Sequence, residues 1–76
     1  MKLPIIDAKK LIKILEAKGY KKIRQKGSHV QFRNDSDIYV TVPLHPTQDI
    51  GKGLLRKIMR DMEMDREELF RILKEI

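Results

Sequence analysis

The residues best suited to chemistry lie in one short run, Arg24-Gln25-Lys26-Gly27-Ser28-His29, a basic turn ending in one of only two histidines. An imidazole exchanges a proton near neutral pH, so one held beside cationic side chains could act on an anionic ligand. Cleaving RNA needs a base for the 2′-hydroxyl proton, a proton donor for the leaving 5′-oxygen, and cations for the charge that develops on the phosphate. His29 fits either proton-transfer role. Arg24, Lys26 and Arg33 could neutralise charge, and the Gly27 and Ser28 amides could approach a phosphate. The competing reading is a surface histidine that follows a turn, because spacing alone gives His29 no partner. His45 is its one possible partner by type, although a residue between Leu44 and Pro46 also reads as part of a loop or interface. Tyr39 or a lysine are the other candidates for the second proton-transfer role.

No other constellation competes with this one. Two isolated histidines, no cysteine and no spaced carboxylate pair argue against a metal site, and no cofactor is expected. Gly51-Lys52-Gly53 lacks the preceding strand and the spacing of a nucleotide loop. Asp35 and Asp37 read as turn formers.

The elements that must hold the run follow from periodicity. Lys2 to Ile6, interrupted by Pro4, reads as an extended lead-in. A helix then starts at Asp7 as N-cap, carries Ala8, Leu11, Ile12 and Leu15 on one stripe, and stops at Gly19. Tyr20 to Gln25 reads as a strand with Ile23 as its core residue. After the turn, Val30 and Phe32 alternate with His29, Gln31 and Arg33, which sets His29 on the polar face if the apolar pair is buried. Asn34 to Asp37 is a turn, and Ile38 to Val42 resumes the alternation with Tyr39 and Thr41 outward. Pro43-Leu44-His45-Pro46 reads as a rigid exit loop, and Thr47 to Gly51 leads to a second helix. That helix is expected over about Lys52 to Met62, with an extension toward Met64. A third follows Asp65, with Glu68 completing a capping box and Leu69, Phe70, Ile72, Leu73 and Ile76 on its apolar side.

Composition bounds the partner. The 76 residues fit one domain, 1–76, and the net charge is +6. Residues 1–33 hold ten Lys and Arg against two acids, +8, whereas residues 34–76 hold seven against nine, −2. A basic half that contains the candidate site favours a polyanion such as nucleic acid; the bland alternative is a solvated lysine-rich surface. No apolar run approaches the ~20 residues of a membrane span, and no signal peptide is legible, so a cytoplasmic location without membrane association is expected.

These residues also carry a resemblance. Gly19-Tyr20, Arg24-Gln25-Lys26-Gly27-Ser28-His29, Thr41-Val42-Pro43 with His45, and Gly53 with Leu55-Arg56-Lys57-Ile58 together resemble the HicA toxin family of toxin–antitoxin systems. The resemblance implies an α+β, double-stranded-RNA-binding-domain-like fold: helix, three-stranded antiparallel sheet, helix, and here an additional C-terminal helix. It implies an mRNA-cleaving endoribonuclease with His29 catalytic and no metal. Arg24, Lys26, Gly27, Ser28, Gln31 and Arg33 are then the expected RNA-binding residues. A HicB antitoxin is the implied protein partner, giving a monomer alone or a hetero-oligomer with antitoxin. Leu54 and Met62-Glu63 depart from the family's usual threonine and Ala-Gly, which puts the ends of the second helix in doubt. Two other classes stay open: an RNA-binding module that does not cut, and a protein-interaction domain.

Overall fold

The computed structural model describes residues 2–45 and 49–76. Its elements run β1 (Ile6–Asp7), α1 (Ala8–Ala17), β2 (Lys21–Lys26), β3 (His29–Arg33), β4 (Tyr39–Pro43), β5 (Asp49–Ile50), α2 (Lys52–Asp61) and α3 (Arg66–Glu75). β2, β3 and β4 form an antiparallel sheet with β3 central, and β1 pairs antiparallel with β5 in a separate short ladder. This is the expected α+β order of helix, three-stranded sheet and helices. The β1–β5 ladder is an addition: the lead-in, expected to be extended but unpaired with any strand, and the segment before α2 pair through Ile6 and Ile50. Pro46 and Thr47, assigned to the exit loop and the approach to α2, lie outside the described residues.

Helix α1 is framed by two local signals. The Asp7 carboxylate accepts the Lys10 amide at 2.8 Å, an N-cap worth about 1 kcal/mol. Its buried residues are Ala8, Leu11, Ile14 and Leu15; Ile12, expected on the stripe, is half-buried beside them. At the other end Gly19 turns left-handed at φ 85°, its amide donates to the Glu16 carbonyl, and the Tyr20 amide donates to the Leu15 carbonyl at 2.9 Å. This Schellman closure fixes where the chain re-enters the core, and it delivers Tyr20, 2% exposed.

The position of Tyr20 decides the phase of β2. In the ladder Lys22 lies opposite Phe32 and Arg24 opposite Gln31, so Ile23 is an extra residue, a β-bulge. The expectation that Ile23 is the core residue of this strand is therefore corrected. Regular alternation would bury Ile23 and turn Tyr20 outward; the bulge keeps Tyr20 inside and leaves Ile23 43% exposed. An aromatic ring buries more apolar surface than an isoleucine, and the helix closure has already committed it.

Strands β3 and β4 carry the predicted alternation, with Val30, Phe32, Val40 and Val42 buried. Ile38 packs on the core from just outside β4, because Asp37 at φ 61° and the Asn34 side chain, accepting the Ser36 and Ile38 amides, prolong the turn. Pro43 ends β4 opposite His29 and does not begin the loop. A proline is tolerated there because β4 is an edge strand. Helix α2 stops at Asp61 and does not extend toward Met64. Glu63 occupies the left-handed position at φ 56°, with Met64 donating to the Met59 carbonyl, so the helix closes as α1 does, but without glycine. The Asp65 carboxylate caps α3 by accepting the Glu68 amide. Leu69 and Ile72 are the buried residues of α3, Phe70 and Leu73 are half-buried, and Ile76 is exposed at the last turn. The Lys18 ammonium pairs with the Glu68 carboxylate, joining the end of α1 to the start of α3.

The Tyr20 hydroxyl is buried and has no hydrogen-bond partner among the described residues. Burial first, then the charges of Glu63 and Asp61, hold its pKa above the ordinary 10.0. Tyr20→Phe keeps the ring and removes an orphaned polar atom, so its thermal midpoint should equal or exceed that of the parent by several degrees, ~4–8 °C per kcal/mol. Because the folded state holds the neutral phenol, this contribution is complete below pH 10.0 and is lost as pH rises through the folded pKa. Melting both proteins across that range should show the parent losing more stability than the phenylalanine variant.

Candidate functional site

The register assembles the polar face of the sheet in rows. Lys26 pairs with His29 and His29 with Pro43; Arg24 pairs with Gln31 and Gln31 with Thr41; Lys21 pairs with Arg33 and Arg33 with Tyr39. Arg24, Lys26, His29, Gln31 and Thr41 line a shallow concavity of about 220 Å³. The sequence-derived residues thus meet on one surface, as the alternation of Val30 and Phe32 requires. Thr41 was not among the expected site residues, though its outward phase on β4 marked it. Lys22 and Gln25 turn to the other face, where the Lys22 ammonium donates to the Gln25 carboxamide at 2.8 Å.

The turn between β2 and β3 has two residues, Gly27 and Ser28. Gly27 takes φ 61° and Ser28 stays out of the left-handed region, the pattern of a type II′ hairpin turn with glycine first. The Gln25 side chain donates to the Gly27 carbonyl at 3.0 Å, and the Ser28 carbonyl accepts the Leu44 amide at 2.6 Å. Neither the Gly27 nor the Ser28 amide donates to a partner among the described residues. Two adjacent, available N–H groups beside Lys26 and His29 can receive phosphate oxygens.

The cations on this face are not equivalent. Arg24 and Lys26 have no ion pair among the described residues. Arg33 differs: the neighbouring Tyr39 hydroxyl first, then the negative charges around it, raise its pKa, and the Asp37 carboxylate lies 3.8 Å from its guanidinium. His29 is exposed, with no side-chain hydrogen bond among the described residues. Of its proposed partners, His45 follows Leu44, which is tied to the turn through Ser28, so its backbone lies at the His29 end of the sheet. Tyr39 lies at the opposite end, four positions along β4 from Pro43, or ~13 Å at ~3.3 Å per residue.

A larger hollow, about 490 Å³, opens on the helix side of the sheet among Ile12, Tyr20, Val30, Phe32 and Leu44, with Glu16, Lys21, Lys22 and Gln25 also lining it. Among the described residues no histidine lines it. Among the described residues no three His, Cys, Asp or Glu side chains gather to hold a metal ion, and no helix is long and apolar enough to cross a membrane.

A family model described as the HicA toxin of bacterial toxin-antitoxin systems matches residues 8–64, a span that begins with α1 and ends just before α3. No curated protein and no solved structure matches the chain.

The geometry makes Gly27 the residue on which the turn depends. Nothing lies within 4 Å of a methyl group placed there, so Gly27→Ala suffers from its positive φ alone. It should lower stability by about 1–2 kcal/mol and the thermal midpoint correspondingly, with circular dichroism at low temperature unchanged.

Proposed function

The chain belongs to the HicA toxin family of toxin–antitoxin systems, and from that membership we propose that it is an endoribonuclease that cleaves mRNA on the polar face of its sheet. The observation that carries the proposal is the convergence of His29, two cations without ion pairs among the described residues and two available turn amides at one end of that face. In this reading the 2′-oxygen attacks the adjacent phosphorus as its proton passes to a base, and the bond from phosphorus to the 5′-oxygen breaks as that oxygen gains a proton. His29 performs one of these transfers. Arg24, Lys26 and the Gly27 and Ser28 amides stabilise the charge on the non-bridging oxygens. Gln31 and Arg33 extend the binding face along the strand.

The second proton-transfer role falls to a group at the His29 end, His45 or Lys26. Tyr39 is too far along β4 to share the same phosphate. The reading is metal-independent, since the proton carriers and the charge stabilisers are all side chains and amides of this face. Its protein partner is a HicB-type antitoxin that covers the same basic surface, the chain being monomeric alone or hetero-oligomeric with it.

His29→Ala should reduce RNA cleavage by roughly 10²–10⁴-fold. Because His29 is exposed, its thermal midpoint should stay close to that of the parent. Chelation of divalent ions should leave parental cleavage unchanged. RNA bound in a salt-sensitive manner but never cut, by parent and variant alike, would assign the domain instead to RNA binding without catalysis.

A further inference from the structure

Tyr39 stands apart from the other aromatic side chains. Tyr20 and Phe32 are 2% exposed and Phe70 is half-buried, whereas Tyr39 is 50% exposed on the same sheet face as His29. It lies on an edge strand of the sheet, where no fourth strand among the described residues limits access to its ring. Across the ladder it faces Arg33, whose guanidinium also lies 3.8 Å from the Asp37 carboxylate. Arg33 thus has a carboxylate beside it, whereas Arg24 and Lys26 have no ion pair among the described residues. A flat, exposed aromatic ring with a planar guanidinium across the ladder suits a nucleobase better than a phosphate.

We propose that Tyr39, with Arg33 alongside, is a nucleobase-stacking subsite for a nucleotide displaced along the strand from the scissile phosphate at His29. The proposal rests on the RNA-cleaving reading and deepens it. Stacking engages the π-face that every base has, so the subsite contributes affinity and strand placement with little sequence discrimination. The ~13 Å between the two ends of the face separates the stacked base from the phosphate that is cut. The alternative role for Tyr39 is a cross-strand contact that steadies the hairpin; it would leave RNA affinity unmoved.

The test uses the full chain carrying His29→Ala, which binds RNA without cutting it, and single-stranded oligonucleotides with 2-aminopurine at successive positions. Fluorescence should be quenched on binding at one position. Adding Tyr39→Thr, which keeps strand propensity, should abolish the quenching and weaken affinity about 5- to 150-fold, while Tyr39→Phe should stay within about two-fold. An abasic nucleotide at the quenched position should make the protein with Tyr39 and the Tyr39→Thr variant bind alike. Binding without position-specific quenching, or equal affinity for the folded threonine variant, would overturn the subsite and leave the RNA reading intact. No RNA binding by any of these proteins, Tyr39 present, would overturn the RNA reading itself. Should the threonine variant not fold, the quenching scan and the abasic oligonucleotide on the Tyr39-bearing protein decide the matter.

Discussion

Everything on the polar face depends on the phase in which β2 pairs with β3, and that phase is set from both ends. At one end the left-handed closure at Gly19 commits Tyr20 to the core; at the other the two-residue turn at Gly27-Ser28 fixes Lys26 opposite His29. Between these fixed points the strand has one residue too many for a regular ladder. The bulge at Ile23 absorbs it, and side chains on both sides of the bulge then point where the site needs them. Without that extra residue accommodated, Tyr20 and the cations of β2 could not satisfy both ends at once.

The same constraint explains why the two faces of β2 differ so much in chemistry although all six of its residues are exposed. Arg24 and Lys26 join Gln31, Thr41 and His29 around a concavity that no acidic side chain among the described residues lines. Lys22 and Gln25 bond to each other on the far side. Of the acids, Asp65 caps α3, and Glu68, Asp61 and Asp37 pair with Lys18, Lys57 and Arg33. Arg24 and Lys26, without ion pairs among the described residues, thus lie beside the imidazole, an arrangement that would attract an anion and that salt would screen.

Much of this was legible in the residues. Asp7 and Asp65 announced their helices through short-range side-chain bonds, and the Val30/Phe32 alternation determined the face of His29, because a period of two leaves no other choice once one side is apolar. Ile23 misled because alternation assumes an unbroken ladder; nothing in Tyr20 to Lys26 reveals that a helix closure upstream outranks local pattern. Glu63 misled in a related way. It lacks the glycine that usually marks a left-handed closure, yet the packing of Met62 and Met64 imposes one. The β1–β5 ladder was invisible because two-residue strands carry no periodicity. The separation of Tyr39 from His29 emerged only with the register, which converted two outward-facing residues into opposite ends of one surface.

Whether RNA lies on the face that holds His29 is tested most directly by lysine footprinting with mass spectrometry, with and without a 2′-O-methyl RNA that cannot be cut. Lys26 and Lys22 share a strand and differ in the face the bulge assigns them. Bound RNA should protect Lys26 from acylation and leave Lys22 reactive. Protection of Lys22 with Lys26 still reactive would contradict this placement, since RNA would then lie on the helix side of the sheet, away from His29.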